Sequence, residues 1–324
     1  MGVSIELPVR YRLRRSIATL AVLVVLVVAL LLALPGLDGV EQELRHANWG
    51  WVCAGVALEL LSGLGYVLTF QLVFDRAPRR LARRLAWSEQ AFQGAVSLGG
   101  AGGLGLGAWV LHIVGVPAGR IADRSAVFFI LTSAINVFVL VVSGLGLAVG
   151  LFAGPGNLLL SVVPAAVGVA VIAFFLALPR FAGRMAGRFE DHARVASLLR
   201  GLGESIRHTE GLLRARDWRL VGPFGYLLFD VAVLWASFRA AGAAPPAAAL
   251  VLAYQIGYLA NVVPIPGGVG ALDAGIVGAL VIYGVNATHA TAAVVIYHAI
   301  ALLVPTVIGT IAFALLRRDL RKLS

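Results

Sequence analysis

Long apolar runs separated by short basic clusters dominate the chain. Residues 17–34, 49–74, 125–150, 157–179, 220–240 and 290–316 are such runs, each near the roughly 20 residues that a helix needs to cross a hydrocarbon core of about 30 Å. The pattern predicts an all-α polytopic membrane protein with about six full transmembrane spans. The run at 17–34 follows Arg10, Arg12, Arg14 and Arg15, yet it exceeds the roughly 7–15 residues of a signal-peptide core. It reads as a retained span.

Two further apolar stretches do not read as simple spans. Residues 85–117 contain Ser97-Leu98-Gly99-Gly100-Ala101-Gly102-Gly103-Leu104-Gly105-Leu106-Gly107, and glycine costs up to about 1 kcal/mol per residue in a helix interior. The helix is expected to break there. Residues 247–286 contain Pro264-Ile265-Pro266-Gly267-Gly268-Val269-Gly270, where prolines remove backbone donors and glycines permit a sharp turn. Both stretches are read as broken or re-entrant helical hairpins. Gly102-Gly103-Leu104-Gly105 aligns with Gly267-Gly268-Val269-Gly270 at an offset of 165 residues, and each is followed by a short apolar helix, a small linker and a long span.

Charge settles how the first hairpin is threaded. The chain has 26 basic residues, all but one of them arginine, against 16 acidic ones, for a net charge of +10. All the basic residues except Arg45 and Arg239 fall in five clusters: before the first span, at 76–84, at 120–124, at 180–219 and at 317–322. A single crossing by 85–117 would put the 180–219 cluster and the C-terminus opposite the N-terminus, against the tendency of basic loops to stay cytoplasmic. Entry and return puts every cluster and both termini on the cytoplasmic side. Residues 247–286 then begin and end outside, either as a re-entrant pair or as two full crossings. One hairpin entering from each face is the inverted-repeat pattern of many transporters, with the site near the bilayer midplane.

Composition agrees with this class. Apolar residues make up 60% of the chain and charged ones 13%, against roughly 45–50% and about 25% in soluble proteins, which excludes an ordinary soluble domain. Residues 1–324 read as one membrane domain, with halves 1–179 and 220–324 joined by the basic amphipathic segment 180–219. That segment suits either a helix on the cytoplasmic leaflet or a solvated connector. Cys53 is the one cysteine, so a disulfide framework is excluded. Basic residues confined to short clusters between apolar runs argue against a nucleic-acid partner. The expected localisation is the cytoplasmic membrane.

Ionisable groups at membrane depth are costly and usually face a cavity. Glu59, near the centre of the 49–74 span, and Asp230, near the centre of the 220–240 span, are candidates to bind a proton, a cation or a cationic head. Asp273 follows the second break by a few residues, where a carboxylate is favoured by the helix dipole and also caps. Free N–H groups of the helices starting near Gly103 and Gly268 suit a phosphate. Carbonyls freed by Pro264 and Pro266 beside Asn261 suit a cation. Gln90, Gln93, His112, Asn136, Tyr254, Gln255, Tyr258 and His298 either line a polar cavity or tie helices together. Asn286-Ala287-Thr288 has the form of a glycosylation sequon.

Tyr254, Asn261, Pro266-Gly267-Gly268, Gly270, Asp273, Gly284 and the final span resemble the flippase-like membrane domain of lysyl-phosphatidylglycerol synthases. The resemblance covers roughly residues 15–317. That family usually has glutamate three residues after Pro-Gly-Gly-x-Gly, where Asp273 stands here. The acid and arginine pair usual near its first hairpin is replaced by Thr132, Ser133 and Asn136. In relatives this domain moves lipids across the bilayer, sometimes fused to a soluble aminoacyl transferase, and no such segment is read among these 324 residues.

The resemblance implies a lipid translocase acting on a phospholipid or lipid-linked head, the alternative being a membrane enzyme or enzyme subunit of aminoacyl-lipid or lipid-linked sugar metabolism. The expected substrate-binding set is Glu59, Gly102, Gly103, Gly105, Asp230, Tyr254, Asn261, Pro266, Gly267, Gly268, Gly270 and Asp273. No catalytic residue, metal or cofactor is expected. The expected partners are membrane lipids, an anionic or aminoacylated phospholipid among them, with a second copy of the chain or a separate lipid-modifying enzyme left open.

Overall fold

The computed structural model describes residues 38–95, 101–152, 158–188, 193–260 and 271–320. The expected span at 17–34 and the break at 261–270 lie outside them. Among the described residues the chain is all helical, and five helices are long and apolar enough to cross a membrane. In order they are α1 (Asp38–Arg45), α2 (Trp49–Val73), α3 (Arg79–Ala95), α4 (Ala101–Ile113), α5 (Ala118–Ala148), α6 (Leu158–Arg188), α7 (Ala193–Arg214), α8 (Val221–Ala241), α9 (Ala247–Ala260), α10 (Ala271–Ile282) and α11 (Ala287–Leu320). A 3-10 turn at Trp218–Leu220 leads into α8.

Local chemistry sets the ends. Asn48 caps α2, its side-chain oxygen accepting from the Gly50 N–H at 2.9 Å. Asn286 caps α11 likewise, accepting from Thr288 N at 2.9 Å and His289 N at 3.2 Å, so the sequon triplet serves as a helix start. At the other ends, α4 and α10 run into Gly115 (φ +88°) and Gly284 (φ +89°), where the chain turns left-handed and closes back on its last carbonyls.

The sequence places the first break too widely. α3 stops at Ala95 and α4 starts at Ala101, so Gly102 to Gly107 form the opening turns of a helix rather than an interruption. Propensity is outweighed because glycine lets α4 lie close against α3. Gly107 packs directly on the Glu89 carboxylate, which a Cβ there would overlap. The expected amphipathic unit at 180–219 is also divided: α6 runs on through Arg188, and α7 begins at Ala193. α7 packs on α5 and α6, with Ile206 buried and Ser205 donating to Asp123 at 3.1 Å.

The two hairpins are real pairs. α3 lies beside α4, and α9 beside α10. With 14 and 12 residues, α9 and α10 measure about 21 and 18 Å at roughly 1.5 Å per residue, short of the roughly 30 Å core.

The halves repeat one series: a long helix, a hairpin, a long helix. α2 and α8 form the central pair and run antiparallel, since Gly55 faces Ala236 while Gly65 faces Gly222. The long helix after each hairpin, α5 or α11, contacts both hairpins. One apolar cluster gathers α2 to α5 with the end of α11, and another gathers α8 to α11 with the later part of α5.

The arginines separate along the bundle as the charge pattern predicts. Arg84 pairs with Asp319, Arg219 donates to the Gln71 carbonyl at 2.7 Å, and Asp123 meets Ser205, which gathers the basic segments among the described residues at one end. Arg239 instead sits over the Trp51 ring at 5.3 Å, beside Asn48 at the opposite end, where Asn48 N donates to the Ala240 carbonyl.

Candidate functional site

The site grows out of the α2–α8 contact. Lipid tails are as apolar as leucine, so helices associate in a bilayer through close packing and polar contacts rather than by escaping water. Gly65 and Gly222 provide the closeness: a Cβ on Gly65 would lie 2.5 Å from the Tyr226 nitrogen, and one on Gly222 would lie 2.8 Å from the Thr69 nitrogen. Ser62 adds a hydrogen bond to the Tyr226 carbonyl at 2.9 Å. Above this contact the helices carry Glu59 and Asp230 into one cavity of about 390 Å³.

Its walls come from both halves. α2 gives Glu59, Ser62 and Tyr66; α3 gives Gln90 and Gln93; α5 gives Phe128, Phe129, Thr132 and Asn136; α8 gives Tyr226 and Asp230; α9 gives Tyr254 and Tyr258; α11 gives Tyr297. Two carboxylates and five phenols line the space, and none of its described lining residues is lysine, arginine or histidine. Phe129 and Tyr258 also line it while remaining 59% and 38% exposed. These two residues bring α5 and α9 from the cavity to the outer surface of the described bundle.

Asp230 accepts hydrogen bonds from the phenols of Tyr254 and Tyr297, the latter at 3.0 Å. Glu59 is only 5% exposed, and its Oε2 has no partner. Asn136 Oδ1 is a second buried acceptor without a donor. Pro305 leaves the Ala301 carbonyl without its helical N–H, and both residues line the cavity. A surplus of acceptors in a space without basic side chains suits a guest that donates hydrogen bonds and carries positive charge. Aromatic faces add attraction for such a cation.

Among the sequence-predicted set, Glu59, Asp230 and Tyr254 meet in this cavity, as do Gln90, Gln93, Asn136 and Tyr258. Asp273 stands in the first turn of α10 and ties it to α11 through His298 Nδ1 at 3.2 Å. Its neighbour Leu272 reaches the cavity lining, whereas Asp273 does not. Gly102 and Gly103 lie in the first turn of α4; Gly105 is exposed, with open space where a Cβ would stand. His112 is exposed in the last turn of that helix. Asn261, Pro266, Gly267, Gly268 and Gly270 lie outside the described residues.

Sequence reading missed the phenols of Tyr66, Tyr226 and Tyr297, and it missed Glu89. That carboxylate is 3% exposed in α3 and accepts from the Tyr66 hydroxyl at 2.9 Å, which in turn accepts from Gln93 Nε2 at 3.3 Å. The signal was present: Glu89 and Gln93 stand four apart and share a helix face with Leu85.

Near the arginine-rich end a second hollow is lined by Gln71, Asp75, Arg79, Asp217, Trp218 and Arg219. There the side chain and backbone N–H of Arg219 hydrogen-bond the Asp217 carboxyl and hold it below the usual carboxylate range.

Fold and cavity together define a polytopic helical membrane protein with paired hairpins around a buried, acidic, aromatic chamber. The sequence profile of the lysylphosphatidylglycerol synthase TM region matches residues 17–309. The chain belongs to that family, and membership implies a role connected with membrane lipids. It is also 33% identical over 113 residues to a UPF0104 membrane protein of Methanothermobacter thermautotrophicus. That match covers 33% of this chain and 32% of the relative, about a third of each.

Proposed function

We propose that the chain is a lipid translocase of the cytoplasmic membrane that passes an amine-bearing lipid head through the Glu59–Asp230 cavity. The observation that carries this reading is the pairing of two carboxylates and unpartnered acceptor oxygens with the absence of any basic lining side chain among the described residues. An aminoacylated or otherwise amine-bearing head brings the missing donors and charge, whereas a head that is only anionic meets two carboxylates. On this reading the head enters beside the exposed lining residues Phe129 and Tyr258, and the acyl chains stay in the bilayer. The segregated arginines support an orientation with the basic end, and both termini, in the cytoplasm.

The test is leaflet accessibility. The purified chain is placed in vesicles of phosphatidylcholine and phosphatidylglycerol with a trace of phosphatidylethanolamine labelled on an acyl chain. Extraction of the label from the outer leaflet should proceed beyond the half accessible at the start, with the lipid chemically unchanged. A fraction that stays at one half removes the translocase reading, and a new lipid product assigns an enzyme instead.

A further inference from the structure

We infer that Glu59 and Asp230 together hold one exchangeable proton, which leaves as an ammonium group enters, so that the chain exchanges one proton for one amine-bearing head. The inference deepens the translocase reading and rests on it.

The groups facing Glu59 decide the matter. α8 presents Asp230 and Tyr226, α11 presents Tyr297, and α9 presents Tyr254 and Tyr258. On α2 itself Tyr66 leads to Glu89 of α3, and α5 contributes only the neutral Thr132 and Asn136. No positive side chain among the described lining residues compensates the two carboxylates. Two carboxyl groups in one space of low polarity cannot both ionise without a counter-charge. The empty cavity therefore keeps a proton. Asp230 receives two phenol donors, which stabilise its charged form. Glu59 has an oxygen that no donor reaches, so the proton resides on Glu59.

When a primary ammonium enters, its N–H groups satisfy the orphaned oxygens and its charge permits both acids to ionise. The Glu59 proton is released to the water on the side from which the head came. The empty cavity carries one negative charge, on Asp230. When loaded, the two carboxylates are both negative, and the head brings one positive charge on its amine and one negative charge on its phosphate. A zwitterionic head is neutral overall, so exchange for one proton moves one net positive charge opposite to the lipid; a pH difference drives the cycle, and membrane potential adds to it unless held at zero.

The full chain in the vesicles described above is clamped at zero potential with potassium and valinomycin, and a pH difference of one unit is imposed. The labelled phosphatidylethanolamine should accumulate in the leaflet facing the acidic compartment, toward a limit of about tenfold per unit for one-for-one exchange. Acyl-labelled phosphatidylglycerol should show no such bias. In parallel, an entrapped pH dye should report proton movement opposite to the lipid when a phosphatidylethanolamine asymmetry is imposed; this needs no variant. Whatever movement remains in Glu59→Gln should end at a leaflet ratio of one at any pH difference. An unbiased distribution with a silent dye in vesicles that still equilibrate the lipid overturns the exchange and leaves the translocase. No movement of either lipid overturns the translocase itself.

Discussion

At the scale of single residues, Glu59 and Asp230 do different work although both are buried acids in apolar helices. Asp230 is held by two phenols, and Glu59 keeps a bare oxygen toward the cavity. Hydrogen bonds to a charged group are worth about 1.5–3 kcal/mol each, so Asp230→Asn should lower the thermal midpoint more than Glu59→Gln does. Both should slow head-group translocation several-fold. Rates and midpoints measured in one lipid mixture check this, and normal rates in both variants remove the ionic role. The two acids were legible in the sequence because a carboxylate inside a twenty-residue apolar run has little structural reason to be there. Tyr66, Tyr226 and Tyr297 were not, since a tyrosine fits an apolar run on composition alone, and only tertiary packing shows where its hydroxyl goes. Glu89 escaped because Arg83 and Arg84 just before it make the segment read as a membrane edge.

At the scale of elements, the hairpins and the central pair depend on absent side chains. A leucine at Gly65 drives its Cβ into the Tyr226 backbone, and backbone cannot rotate away as a side chain can. Overpacking of this kind costs about 1–3 kcal/mol or more. Gly65→Leu should therefore lower the sodium dodecyl sulfate concentration needed to unfold the protein, while Gly105→Leu, with open space beside it, should not. Gly107 is a different case, because the atom in the way is the mobile end of Glu89. Gly107→Ala should push that carboxylate off the Tyr66 hydroxyl and leave buried groups unsatisfied, at about 1–3 kcal/mol. In a Glu89→Ala background the same change should cost far less, and the double-mutant cycle measures the coupling. Glycine density announced both hairpins in the sequence. It did not announce that α4 begins at Ala101, because helix propensity says nothing of the neighbour a glycine lets in.

At the scale of the whole molecule, charge alone predicted the segregation that the fold shows. Arginine clusters far apart in sequence meet at one end because Arg84 reaches Asp319 and Arg219 reaches Gln71. Single cysteines at Ala118 and Gly201 in a Cys53→Ala background should react with an impermeant maleimide from the cytoplasmic side only. A cysteine at Leu151, 74% exposed in the turn just past the far end of the helix that begins at Ala118, should react from the outside only. Reaction of Gly201→Cys from outside reverses the threading.

The length of the α2–α8 contact also says which parts can move. From Gly55 against Ala236 to Gln71 against Arg219, the two helices stay in touch over most of α2, with backbone nearly on backbone at Gly65 and Gly222. Rocking one half against the other, the usual way an inverted repeat alternates its openings, would have to tear this seam. The first hairpin shares this kind of contact, since α3 packs its Trp87 backbone on Gly309 of α11, whereas the described part of the α9–α10 hairpin reaches α11 through the polar link of Asp273 to His298. Amide hydrogens in the middle of α2 and α8 should thus be the slowest in the molecule to exchange with deuterium, and those of α9 and α10 markedly faster. In the translocase proposed above, such a seam would stand as a fixed mast, with access changed by furling the α9–α10 hairpin while each half keeps its place.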